Sequence, residues 1–202
     1  DKYNLDFIGF PDDNFAVDKR RIDKMVDVFK DHGVDHIRWG THTRMDEADE
    51  RAYKMAESGC IYIGFGAESA DEHTLTLMNK GGFILKNGIT KKKINGKIYN
   101  FPTTMVDAVE NCRKAGIHGN CTWIMAYPGE ELKHLQTSVA FIMWQKEFWT
   151  KGIDSGTKDY KILEDGVNQK MFTATAYPGT ELWNGVKPDL KNHFNIEFDQ
   201  HG

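Results

Sequence analysis

The stretch C-I-Y-I-G-F-G-A-E-S at residues 60–69 has the form of a strand that runs into a ligand-binding turn. Its first half is apolar, aromatic and β-branched, the composition of a buried strand. It opens through Gly64 and Gly66 into Glu68. Ser69 and Glu72 then have the Ser-x-x-Glu spacing of a capping box, which starts a helix at Ala70 and carries it to about Met78. Parallel α/β folds present ligand-binding groups where strands end and helices begin. Glu68 is therefore the first candidate for ligand contact.

Outward from this stretch the same joint recurs. At Gly33-Val34, Gly59-Cys60 and Gly116-Ile117 a helical pattern stops at glycine and an apolar run follows at once. Glycine accepts the left-handed conformation that ends a helix. In the first helix Asp18 is the N-cap, Val17 and Ile22 form a hydrophobic staple, and Ile22, Met25, Val26 and Phe29 make the inner stripe. Asp46 caps the second helix, with Asp49 in its first turn. A helix from Thr104 turns Val109 and Cys112 inward, and Leu132, Leu135, Val139 and Ile142 mark the buried side of the next. Strands are expected over residues 5–10, 34–39, 117–126 and 171–176, with polar loops at 11–15 and 40–44. Strands alternating with helices in this rhythm make βαβ units and a parallel sheet.

Two segments break the rhythm. Residues 79–102 carry an Asn95-Gly96 turn between short runs, the signature of a hairpin, and the cluster Lys91, Lys92, Lys93 on it reads as a solvated face. Residues 150–170 are polar and without period, a long connection or a lid.

With 202 residues, 40% of them hydrophobic and 28% charged, the chain can build one core of its own and is neither disordered nor fibrous. A formal charge of −4 offers no basic face for nucleic acid, and no apolar run reaches membrane-span length. The three cysteines, Cys60, Cys112 and Cys121, are odd in number and far apart, which argues against a disulfide framework and for a reducing, cytoplasmic setting.

An internal echo adds a second feature. A-Y-P-G-E-E-L at 126–132 is nearly repeated by A-Y-P-G-T-E-L at 176–182, each after a predicted strand. Pro-Gly alone is turn chemistry. At the first copy Glu130 would join Glu68 among the strand ends, together with Asp12, Asp13, His42 and Arg44. In a parallel barrel these ends share one face. Phosphate-binding signatures do not fit. Gly64-x-Gly66-x-x-Ser69 lacks the third glycine of the dinucleotide fingerprint, and there is no Walker loop. A metal hydrolase would have to use Asp13, His42 and Glu68, without an H-x-H or H-E-x-x-H pairing to support it, and His36 falls inside a predicted strand.

The ordered series F-P-D-D-N-F (10–15), R-W-G-T-H-T-R (38–44), G-C-I-Y-I-G-F-G-A-E-S (59–69), M-N-K-G (78–81), A-G-I (115–117) and A-Y-P-G-E-E (126–131) resembles the radical S-adenosylmethionine enzymes. It is most similar to their cobalamin-associated branch, which includes the anaerobic magnesium-protoporphyrin monomethyl ester cyclase-like and methylthiotransferase-like proteins. The resemblance covers residues 5–182. It implies an α/β fold, a partial (β/α)6 TIM-like barrel lacking the first βα unit, with residues 1–182 as the barrel core and 183–202 as a C-terminal extension. It further implies S-adenosylmethionine and a 4Fe–4S cluster as cofactors, cobalamin on a separate upstream domain, a flavodoxin or ferredoxin as electron donor, and a small-molecule substrate. Reductive cleavage of S-adenosylmethionine to a 5′-deoxyadenosyl radical would be the parent reaction.

By position in the motifs, Asp12 and Asp13 would lie near the methionine moiety, Glu68 and Ser69 near the ribose and amino group, and Pro128, Gly129 and Glu130 near the adenine, while Arg44 matches a polar position after the family's third strand. The family's C-x-x-x-C-x-x-C cluster loop is absent from the sequence. The expectation is thus of an N-terminally truncated core, inactive by itself. The alternative is a non-catalytic module that binds a nucleoside or a protein partner.

Overall fold

The computed structural model describes residues 5–158, 161 and 170–194. They fall into two compact units, Asp1–Phe172 and Thr173–Gly202. In chain order the elements are β1 (Phe7–Gly9), α1 (Lys19–Asp31), β2 (Arg38–Thr43), α2 (Glu50–Glu57), β3 (Cys60–Glu68), α3 (Glu72–Leu77), α4 (Gly81–Ile84), β4 (Ile89–Ile94), β5 (Lys97–Pro102), α5 (Thr103–Ala115), β6 (His118–Met125), α6 (Leu132–Thr150), β7 (Lys170–Thr173) and α7 (Glu181–Phe194). One sheet has the order β1-β2-β3-β6-β7, with parallel pairing from β1 through β6, and β4 with β5 forms a separate antiparallel ribbon. This is the α/β partial barrel expected from the sequence.

Alternation along the strands gives the sheet two unlike faces. Trp39, Ile63, Phe65, Ala67, Cys121 and Trp123 are buried and share one core with Ile22, Met55, Val109 and Phe141 of the helices. Phe7, His42, Tyr62, Gly66, Asn120 and Thr122 alternate with them on the opposite face, and none of these six is fully buried. All three joint glycines take the left-handed conformation, with φ of 63°, 92° and 75° at Gly33, Gly59 and Gly116, and a strand follows directly at Gly59 and one residue later at Gly116, but not at Gly33. At Gly59 a Cβ would come within 2.6 Å of the Ile37 carbonyl oxygen, so glycine is needed there for space as well as for φ. The Asn95-Gly96 turn also forms, with positive φ at both residues and Ile94 paired to Lys97.

The second strand lies later than expected. Residues 34–37 turn, Val34 N–H donating to Phe29 O and Ile37 N–H to Val34 O, and β2 begins at Arg38. The expected loop 40–44 is mostly strand because Thr41 and Thr43 are its buried residues. Their hydroxyls are satisfied at Phe10 O (3.1 Å) and at Asn14 and Glu47 (2.8 and 2.7 Å). Buried threonines paired in this way look like loop residues in a sequence.

Three caps also differ. Asp49, not Asp46, caps α2 by accepting from Arg51 N–H, and Asp71, not Ser69, caps α3 by accepting from Thr74 N–H. Asp18 does cap α1, but Val17 is 62% exposed while Ile22 is buried, so the staple is not made. Helix α6 is rotated from the expected phase. Leu132 and Val139 are exposed, and its inner stripe is His134, Ser138, Phe141 and Gln145. Two polar members of that stripe are bonded inward, Ser138 to the α3 approach and Gln145 Nε2 to Gly119 O at 2.9 Å.

The last strand of the sheet ends at Thr173 rather than 176. Of the long connection, residues 151–158 and 161 are described; 159, 160 and 162–169 lie outside the described residues. In the second unit the repeated A-Y-P-G turn closes with Thr180 N–H on Tyr177 O at 3.2 Å, and residue 182, the expected end of the barrel core, stands in the first turn of α7. Among the described residues no helix is long and apolar enough to cross a membrane.

Candidate ligand site

Glu68 ends β3 in a strained turn. Its φ is 61°, and Ser69 N–H donates to Ala67 O at 2.7 Å across it, an i to i+2 closure of the γ-turn kind. A non-glycine residue held there costs of order 1 kcal/mol and persists only where its surroundings fix it. Those surroundings come from α6. Ser138 Oγ accepts from Ala70 N–H at 3.0 Å and lies 3.2 Å from Ser69 Oγ, which in turn accepts from Asp71 N–H. Ser69 is completely buried in this knot, so it serves the turn and not an open site.

The turn folds the Glu68 carboxylate back over Gly66, where a Cβ would stand 2.8 Å from Oε1. It faces a pocket of about 260 Å³ lined by Arg44, Met45, Gly66, Asn79, Lys80 and Phe83 among others. Burial raises the Glu68 pKa above its ordinary 4.5, and Lys80, 3.7 Å away, offsets only part of that. The opposite wall is Arg44, whose guanidinium lies 3.7 Å over the Phe83 ring and grips Asp46 through two bonds of 2.8 and 2.6 Å. Asp46, nearly buried, also accepts from Lys86 at 3.1 Å. Burial pushes its carboxyl up, but the Arg44 and Lys86 bonds outweigh that and hold it below 3.8. The pocket thus sets a partly desolvated acceptor opposite a fixed guanidinium, with an ammonium and an aromatic face beside them. That suits a ligand carrying both hydroxyl or ammonium donors and an anionic group.

Of the residues expected from the sequence, the fold brings Arg44 and Glu68 into one pocket. Asp12 lies elsewhere and pairs with Arg21 at 3.1 Å, and Asp13 is exposed beside it. Pro128 and Gly129 form a turn packed on α3, a Cβ at Gly129 meeting Leu77 at 2.9 Å. Glu130 bends back on its own turn, Oε2 accepting from Ala126 N–H at 2.7 Å, while Oε1 is buried without a partner. Lys80 and Phe83 are not among the residues expected at the site, and Asp46 is expected only as a helix cap. Only Lys80 sat in a noted motif, M-N-K-G, and the pairing of Asp46 with Arg44 needed the Met45–Glu47 turn that folds them together.

The cysteines do not suit an iron–sulfur cluster. Cys60, Cys112 and Cys121 are buried, and desolvation pushes all three thiols up, Cys60 and Cys121 to about 12, the reverse of what a thiolate ligand needs. Among the described residues no three His, Cys, Asp or Glu side chains group as metal ligands, so Asp13, His42 and Glu68 are not the hydrolase centre considered above.

No protein-family model matches the chain. An uncharacterized methyltransferase, PH0819, of Pyrococcus horikoshii is 29% identical over 184 residues, covering 90% of this chain and 32% of that protein. The cobalamin-dependent S-adenosylmethionine radical enzyme OxsB, with aqua-cobalamin and S-adenosylmethionine bound, superposes with a TM-score of 0.60 at 15% identity over 98% of this chain and 30% of its own. With aqua-cobalamin alone the TM-score is 0.57 over 97% of this chain. The chain spans about a third of the length of these relatives. At such identity the likeness to OxsB is one of fold, and the chain has the partial barrel of the radical S-adenosylmethionine type.

Proposed function

We propose that this chain is the S-adenosylmethionine-holding half barrel of a radical S-adenosylmethionine enzyme of the cobalamin-associated, methyltransferase-like kind. The observation that carries the reading is the Arg44–Glu68–Lys80 pocket at the strand ends of a fold shared with OxsB. S-adenosylmethionine has ribose hydroxyls and an ammonium, which Glu68 would accept, and a carboxylate, which Arg44 or Lys80 would face. The methyltransferase name of the Pyrococcus relative favours methyl transfer over the other outcomes of that chemistry. The chain's own cysteines, all buried, do not suit the cluster that starts that reaction. Their burial favours, as a second reading, a module that binds its ligand without catalysis.

Calorimetric titration of the chain with S-adenosylmethionine tests this. Without a cluster iron to anchor the amino acid end, binding is weak, with Kd about 1 mM, or about 4 kcal/mol. No heat of binding at several times that concentration would refute the proposal.

A further inference from the structure

We infer that the open face of the sheet carries a second polar subsite, His42 with Asn120, which takes a hydroxyl or amine of the substrate rather than S-adenosylmethionine. The inference rests on the proposal that the chain is half of a radical S-adenosylmethionine barrel, whose open sheet face would then line the reaction space. Register places His42 of β2, Gly64 of β3 and Asn120 of β6 in one row across the sheet. The middle position is bare backbone, and the His42 ring lies in the space a side chain there would fill, since a Cβ on Gly64 would overlap its Cδ2 and Nε2. The imidazole is therefore laid across Gly64 in the direction of Asn120, with Tyr62 edge-on to it at 6.4 Å between ring centres. At the far end of the row, the Asn120 Oδ1 is buried and has no hydrogen-bond partner.

A buried acceptor left unpaired is costly, and a native structure that keeps one usually fills it with a bound group. Neighbouring groups do not use it. Thr122, two residues on, donates its hydroxyl to Phe65 O instead. The group that completes the row must donate to Asn120 and meet a ring nitrogen of His42 that either donates or accepts. A hydroxyl does both with either ring nitrogen, and a protonated amine does so with the ring nitrogen that accepts, whereas a carboxylate or phosphate would meet the Asn120 oxygen with another acceptor. The row lies within the strands, apart from the Arg44–Glu68 pocket at their ends, so the two sites can be occupied by different parts of the reacting pair.

The test is nitrogen-edited NMR of the imidazole side chains of the 202-residue chain, titrated with ethanolamine, then with ethanol and ethylamine as its two halves. The expected result is a saturable shift of the His42 ring nitrogens with ethanolamine, kept by whichever half carries the recognised group, and reduced at least about fivefold by Asn120→Ala, as the loss of one hydrogen bond requires. Gly64→Ala, whose Cβ would overlap the His42 ring, abolishes the shift as well. S-adenosylmethionine titrated into the same samples reports the strand-end pocket separately. Glu68→Gln weakens that isotherm and leaves the ethanolamine response unchanged. An absent His42 shift, or one of undiminished size in Asn120→Ala, overturns the subsite whether or not S-adenosylmethionine binds.

Discussion

Glu68 and Glu130 stand at equivalent places, each near the end of a parallel strand and each at or after a backbone turn of positive φ, 61° at Glu68 and 59° at Ala126. They do opposite work. Glu130 satisfies its own turn by taking the Ala126 N–H. Glu68 takes no backbone donor. Its turn is held from outside by Ser69 and Ser138, so its carboxylate is left to the pocket and pays for that in a raised pKa. An acid at a strand end is thus a ligand group only when other residues stabilise the turn.

The largest effect expected is on the wall that faces Glu68. Asp46→Asn removes a nearly buried carboxylate from Arg44 and Lys86 and costs about 3 kcal/mol at neutral pH. Because the folded pKa of Asp46 is depressed, its contribution is present above 3.8 and is lost as pH falls through the lower folded value. Denaturant melts of the variant and the parent should converge in that acid range.

Next comes Glu68→Gln, which weakens S-adenosylmethionine about tenfold or more, the size of a lost charge-assisted bond. It also raises the melting temperature at pH 7. A carboxyl whose folded pKa is raised contributes stability fully only below 4.5 and loses it as pH rises through the folded value, a loss that glutamine escapes. The gain in melting temperature should therefore vanish below pH 4.5. A variant that lost both affinity and stability at pH 7 would make Glu68 a structural residue like Glu130.

Glu130→Ala is expected to behave the other way. It costs about 1 kcal/mol in denaturant melts, through the unpaired Ala126 N–H, and changes S-adenosylmethionine affinity by less than about twofold. The smallest effect belongs to the second A-Y-P-G turn, where Thr180 accepts from Trp183 N–H as a helix cap. Thr180→Ala costs about 0.5 kcal/mol in the same melts and leaves binding unchanged.

The fold was legible because its signals are local. Each glycine joint, the Asn95-Gly96 turn and the apolar run of β3 depend on a few adjacent residues. What escaped was buried polarity. Thr41 and Thr43 hid β2, and Ser138 and Gln145 hid the inner side of α6, because a paired buried hydroxyl or amide looks like surface in a sequence. At the site, Glu68 and Arg44 could be named because one ends its strand and the other directly follows its own. The Asp46–Lys86 support, the Ser69–Ser138 knot and the His42–Asn120 row all join residues distant in the chain, which only the packing of helices and turns on the sheet, and for the last the strand register, bring together.

The most direct measurement is an amide NMR titration of the chain with S-adenosylmethionine up to about 10 mM, roughly ten times the expected dissociation constant. Shifts concentrated at residues 66–69, at 79–83 and at Arg44, with 126–130 quiet, are the expected result. Shifts centred on 126–130, or none at all, would contradict the assignment of the pocket to Glu68.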